Sequence, residues 1–150
     1  MRVRGFEIVA AYKNAGIALP MRKTAWSAGY DIAAAESVTL SPRTVTLIPT
    51  GLKAYMQADE YLGIHIRSGL AVKNALSLIN GQGIIDADYY DNPGNEGHIL
   101  IAVYNHGEAP VSVAKGDRVA QGIFYQYLLT DTDGAADLPT RGGGLGSTGK

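Results

Sequence analysis

The chain has 150 residues, no cysteine, and 13 basic against 14 acidic residues, for a formal net charge of -1. That near-balance leaves no electrostatic footprint for nucleic acid, and the lack of cysteine excludes disulfides, thiolate metal sites and thiol nucleophiles. With 46% hydrophobic residues there is apolar material for one core, so a single domain over residues 1–150 is expected.

Arg2 and Arg4 are followed by Glu7 and Lys13, which interrupt the apolar stretch too early for a signal peptide or membrane span. A soluble, cytoplasmic chain without a membrane partner is expected. Short β-branched runs follow at Val38–Leu40, Val45–Ile48, Tyr61–Ile66, His98–Tyr104 and Val111–Val113. Turn formers separate them: Ser41-Pro42, Pro49-Thr50-Gly51, Asn80-Gly81, Asn92-Pro93-Gly94 and Lys115-Gly116-Asp117. Many short strands with such punctuation predict an all-β sandwich or barrel. One short helix is predicted over Ser68–Leu78, where Leu70, Ala71, Asn74, Ala75 and Leu78 fall near helical spacing and Ser68 is placed to cap it. Asn80-Gly81 reads as a hairpin turn. From Asp131 the chain turns polar and then glycine-rich, a composition that cannot offset its own ordering entropy, so 131–150 is expected to be a mobile tail.

Five segments carry the chemistry: Ala28-Gly29-Tyr30-Asp31-Ile32, Arg67-Ser68-Gly69-Leu70-Ala71, Asn80 through Gly83-Ile84-Ile85-Asp86-Ala87-Asp88-Tyr89, Gly116-Asp117-Arg118-Val119-Ala120-Gln121, and the tail from Arg141. Cleaving a phosphoanhydride needs an activated water, an in-line path and donors for the phosphate charge. Asp86 follows an apolar run that sets its carboxylate at a strand end; for an isolated aspartate in that setting a turn role is the commoner outcome. Arg67 and Ser68 stand at a helix start, where free N–H groups and the helix dipole favour phosphate, though such pairs are usually surface or capping residues. Asp117 and Arg118 read equally as a turn and a structural ion pair.

In order, content and spacing these segments resemble the five motifs of the trimeric dUTPase family, over roughly the whole chain. The resemblance implies a distorted jelly-roll-like sandwich, the β-clip of that family, and hydrolysis of dUTP to dUMP and pyrophosphate. It casts Asp86 as the group that orients and deprotonates the water attacking the α-phosphate. Tyr89 stacks beneath the deoxyribose and excludes a 2'-hydroxyl; Asn80 lies near uracil, where an amide offers donor and acceptor together, and Gly83 of the same segment is among the substrate-binding residues. Arg67, Ser68, Gly69 and Gln121 contact phosphates. Asp31 supports the first-motif turn or a metal-bound water. The tail closes as a lid in which Arg141 pairs with the γ-phosphate and Gly146, Ser147 and Thr148 cover the phosphates. Mg²⁺ is held by the triphosphate and water rather than by a protein ligand, which suits its reluctance to dehydrate. The resemblance further implies a homotrimer with shared active sites, the Asp86 motif and the Arg141 tail coming from different chains.

Two departures from the family stand out. Leu145 replaces the usual phenylalanine, and leucine covers a base less well than an aromatic ring, whose stacking is worth roughly 1–3 kcal/mol. Asp91–Gly97 is longer than the usual tight turn and reads either as a surface loop or as an insert for a regulatory protein partner. His65, His98 and His106 lack metal-ligand spacing and read as structural. Gly144–Lys150 fits the start of a P-loop, but no Ser or Thr follows Lys150 and the strand-to-helix context is missing. The rival within the same fold is dCTP deaminase, whose base is a glutamate in a strand ending in asparagine; here that position is Ala102, before Asn105. A rival of another class is a regulatory binding module.

Overall fold

The computed structural model describes residues 1–134 and 138–142. Among them the chain forms eleven strands and one short α-helix. The strands are β1 (Gly5–Ile8), β2 (Tyr30–Ala33), β3 (Val38–Leu40), β4 (Val45–Pro49), β5 (Leu52–Tyr55) and β6 (Glu60–Ile66). After helix α1 (Ser68–Asn74) come β7 (Leu76–Leu78), β8 (Gly83–Asp86), β9 (Leu100–Asn105), β10 (Val111–Val113) and β11 (Arg118–Gln126). All pairings are antiparallel. They make a four-stranded sheet β2-β11-β6-β8, a three-stranded sheet β4-β9-β7 and two ribbons, β1-β5 and β10-β3. The all-β expectation holds, and no helix is long and apolar enough to cross a membrane among the described residues.

The core lies between the sheets. Ile32, Leu62, Ile64 and Val119 come from the larger sheet, Ile48, Leu76, Leu78, Ile101 and Val103 from the smaller, and Leu40, Leu52 and Val113 from the ribbons. Period-2 burial along β9, with Ile101, Val103 and Asn105 inside, is what a strand with one covered face requires. Asn105 is polar and wholly buried, yet satisfied: its amide nitrogen donates to the Leu40 and Ala109 carbonyls at 2.9 Å each, and its oxygen accepts the Gly107 N–H.

Three local expectations are corrected. The helix stops at Asn74, because Ala75 adopts a left-handed φ of 52° that closes the turn. Leu76 and Leu78 then alternate inward as a strand, and the period of two in Leu76-Ser77-Leu78 overrides the helical spacing of Leu78. Ser68 makes no capping bond; Arg67 holds the N-cap position, also without a side-chain cap. Asn80-Gly81 does turn the chain, with Gly81 at φ 73°, but β7 pairs with β9 and β8 with β6, so the turn is a corner between sheets rather than a hairpin.

The longest strand, β11, follows a segment quoted for its motif rather than for extended structure. A register irregularity between Arg118 and Ala120 lets Val119 and Ala120 both lie in the core. Gly122 is needed there: a Cβ would sit 3.0 Å from Leu62 Cδ1 on one neighbouring strand and 3.2 Å from Ile32 Cδ1 on the other.

Candidate active site

The motif residues assemble into two groups at opposite ends of β6. At its C-terminal end Arg67 and Ser68 enter α1, and β11 runs alongside with Gln121 opposite His65. Gln121 also faces Asp31 across β2, and its Oε1 lies 2.3 Å from where a Cβ on Gly29 would stand, so glycine at 29 makes room for that amide. Asp31 takes an ion pair from Arg118 at 3.1 Å, while the Asp117 carboxylate accepts the Ala114 N–H at 2.9 Å; these two residues are thus a turn and a structural pair. Gly69 has open space where a Cβ would point, so nothing among the described residues demands glycine there. Gly83 opens β8 opposite Ile64, near this same end, with Asn80 exposed in the turn before it.

At the other end β8 finishes with Asp86 opposite Tyr61, and a single 3-10 turn, Ala87–Tyr89, follows. The turn returns Asp88 toward Asp86, and Arg141 bridges the two: its guanidinium pairs with the Asp86 carboxylate, its Nε lies 3.2 Å from Asp88 Oδ1, and its main-chain N–H donates to Asp88 Oδ2 at 3.0 Å. Arg141 is largely covered (16% exposed) while Asp86 stays half open at 48%, so solvent still reaches the carboxylate. The Tyr89 hydroxyl donates to the His98 carbonyl at 2.7 Å. Burial pushes its ionisation above the usual tyrosine range, so it remains a neutral donor.

The span from Tyr61 to Arg67 is about 20 Å at the ~3.3 Å rise of a strand. Within one chain, Asp86, Tyr89 and Arg141 are therefore far from Arg67, Ser68, Gln121 and Asp31. Leu145, Gly146, Ser147 and Thr148 lie outside the described residues. Sequence reasoning gave no role to Asp88, although its spacing of two from Asp86 carried a signal, nor to Asn95, whose contact with Tyr89 depends on how the intervening loop folds back; His98, read as structural, holds the Tyr89 hydroxyl through its carbonyl.

An all-β fold of this topology, with a strand-end carboxylate beside a tyrosine and a tail arginine, places the chain in a class of small β-clip proteins. A family model described as dUTPase matches residues 15–149. The chain is 52% identical over 149 residues to a deoxyuridine 5'-triphosphate nucleotidohydrolase of Lactococcus lactis, covering 99% of each. It is 40% identical over 144 residues to the protein of that name from Maricaulis maris, with 89% of each covered. Among solved structures, the dUTPase from Streptococcus mutans superposes with a TM-score of 0.80 at 46% identity, covering 85% of this chain and 98% of that one. The dUTPase of Staphylococcus aureus phage phi11, described with a structural Mg(II) ion, shares the fold at a TM-score of 0.71 and 20% identity, over 88% of this chain and 95% of that one. The chain belongs to the dUTPase family.

Proposed function

We propose that the chain hydrolyses dUTP to dUMP and pyrophosphate in the cytoplasm, limiting uracil incorporation into DNA and supplying dUMP for thymidylate synthesis. The Asp86 carboxylate takes a proton from water as that oxygen bonds to the α-phosphorus. The bond from the α-phosphorus to the bridging oxygen breaks, and pyrophosphate leaves with the electron pair. Tyr89 packs against the deoxyribose, Asn80 addresses uracil, Gly83 contributes to the same substrate-binding segment, and Arg67, Ser68, Gly69 and Gln121 hold phosphates. Arg141, Leu145, Gly146, Ser147 and Thr148 belong to the closing tail. Deamination is the weaker reading, because Ala102 faces Leu47 across the β4-β9 pair and supplies no carboxylate.

The observation that supports a shared site is the separation along β6. Reacting atoms must approach to about 3–3.5 Å, and a carboxylate beside the Tyr61 end of β6, about 20 Å from its Arg67 end, cannot serve a phosphate that Ser68 holds. A complete site therefore combines Asp86 and Tyr89 of one chain with Arg67, Ser68 and Gln121 of another, and a homotrimer provides three such junctions. In the single chain Arg141 rests on its own Asp86 and Asp88. In the assembly the triphosphate competes for that guanidinium, and the tail closes over the site of a neighbouring chain.

The carboxylates suit a metal that arrives with its substrate. Asp31 and Asp86 are each engaged by an arginine, and no group of three His, Cys, Asp or Glu side chains able to hold a metal ion occurs among the described residues. Mg²⁺ would supply charge neutralisation on the triphosphate when bound, and Asp31 would support it through water.

The test is a panel of dUTP, UTP, dCTP and dTTP with purified protein, following pyrophosphate and ammonia. Pyrophosphate from dUTP alone is expected; ammonia from dCTP would overturn the assignment. Assembly is tested by refolding Asp86→Ala chains together with chains truncated after Thr140. Activity reappears if one chain's tail serves another chain's Asp86, and stays absent in verified mixed trimers if each tail serves its own.

A further inference from the structure

The Asp91–Gly97 loop is built against the back of Tyr89. Asn95 donates through Nδ2 to the Tyr89 hydroxyl at 3.2 Å while that hydroxyl donates to the His98 carbonyl at 2.7 Å, so the phenol is held from two sides. The orientation of the Asn95 amide is itself fixed, because its oxygen accepts the Gly97 N–H at 2.9 Å and the Asn92 side chain at 3.0 Å. Main-chain contacts close the unit: Asn92 N–H donates to the Tyr89 carbonyl at 3.1 Å, Asp91 N–H to the Glu96 carbonyl at 3.1 Å, and Glu96 N–H to the Asn92 carbonyl at 2.9 Å.

Gly97, at φ 76°, passes so close that a Cβ would lie 2.2 Å from the Tyr89 carbonyl oxygen. Asp91 and Glu96 also adopt left-handed φ values of 55° and 58°, costly for non-glycine residues and kept only where the surroundings impose them. The imposing group is buried Lys53. Its ammonium bonds Asp91 at 2.5 Å and Glu96 at 3.1 Å, and Glu96 also accepts the Ala10 N–H at 3.0 Å.

We propose that Asn95 is a specificity-positioning residue, and that the Asp91–Gly97 loop exists in this chain to fix the Tyr89 ring where it discriminates deoxyribose from ribose. This rests on the reading of Tyr89 as the sugar contact. Excluding one hydroxyl sterically requires a wall that does not yield, and a phenol held by both a donor and an acceptor cannot swing away as a singly bonded one can.

The experiment compares kcat/KM for dUTP and UTP in the full-length protein and in Asn95→Asp, Tyr89→Phe, the double variant and Tyr89→Ala. Asn95→Asp keeps the Oδ1 acceptor roles toward Gly97 and Asn92 and replaces the donor to Tyr89 by a carboxylate oxygen, which can only accept. The dUTP-to-UTP ratio is expected to fall about three- to tenfold, the scale of one lost hydrogen bond, with the fall carried by a gain on UTP. In the Tyr89→Phe background the same change should do nothing further, because the hydroxyl through which Asn95 acts is gone. An unchanged ratio in Asn95→Asp, or an equal fall with and without the hydroxyl, overturns the positioning role. A ratio that Tyr89→Ala leaves untouched overturns the sugar reading and the proposal together, so the two failures are distinguishable.

Discussion

Asp86→Asn separates catalysis from architecture. The carboxylate is half exposed, and its structural partner is the Arg141 guanidinium. Ion pairs with an open member are worth about 0–1 kcal/mol after screening, so losing the charge should move the melting temperature by no more than about 4 °C in a chain of this size. The amide keeps the shape, and the Tyr61–Asp86 strand register rests on main-chain bonds. Turnover should respond differently. Loss of a general base costs about 10²–10⁴-fold, or roughly 2.7–5.5 kcal/mol of barrier. Steady-state pyrophosphate release gives kcat and KM, and calorimetry gives the melting temperature. Asp88→Asn is the control, since Asp88 touches the same arginine at 3.2 Å but ends no strand, and it should lower kcat by less than about tenfold. A kcat within threefold of the parent for Asp86→Asn, or an equal loss in Asp88→Asn, would refute the assignment of the base.

Gly97→Ala should shift the Tyr89 main chain and lower both stability and dUTP-over-UTP preference, because the new methyl carbon would stand 2.2 Å from a carbonyl oxygen; unchanged melting and selectivity would count against the close approach. His98 should make the fold acid-sensitive. Burial pushes its pKa below the ordinary 6.5, against the opposing pull of Glu36 and Glu96, and its Nε2 accepts the Gly51 N–H at 2.9 Å as a neutral ring. A histidine with a depressed folded value contributes stability that is complete above 6.5 and is lost as pH falls from there through the folded value. Unfolding free energies from pH 8 to 5 should therefore fall more in the parent than in His98→Gln, and parallel curves would exclude the effect. Asn105→Ala should cost about 2–4 kcal/mol by leaving the Leu40 and Ala109 carbonyls and the Gly107 N–H without partners, read as a lowered denaturation midpoint; a loss under about 0.5 kcal/mol would mean water replaces the amide.

The parts of the fold legible in the sequence were those whose burial follows a simple period. Val111–Val113 forms a strand over the expected residues, and β3, β4, β6 and β9 fall within two residues of the expected runs. The strands that escaped notice had other reasons for being strands. β11 carries the β-formers Val119, Ile123, Phe124 and Tyr125, but Gly122 and a register shift break its alternation, and the packing of Ile32 and Leu62 against that glycine explains the break. Leu76–Leu78 was absorbed into the helix because three residues cannot distinguish a period of 2 from one of 3.6 without the left-handed turn at Ala75.

The candidate site was legible as a set of residue types and illegible as a geometry, and the strand register shows why. Motif order places Arg67 before Asp86 but says nothing about which end of β6 each will occupy. That depends on β8 running antiparallel to β6 with Gly83 opposite Ile64 and Asp86 opposite Tyr61. A register slip of one residue would have flipped every side chain to the other face, and a parallel β8 would have brought Asp86 toward Ser68 and allowed a site within one chain. Antiparallel pairing forbids that, and this is the ground on which a site shared between copies is proposed. If the sites are shared as proposed, activity should fall on dilution as copies separate, and an inactive copy that still assembles should remove function from its neighbours as well as from itself; activity per chain that is constant across dilution would refute the shared site.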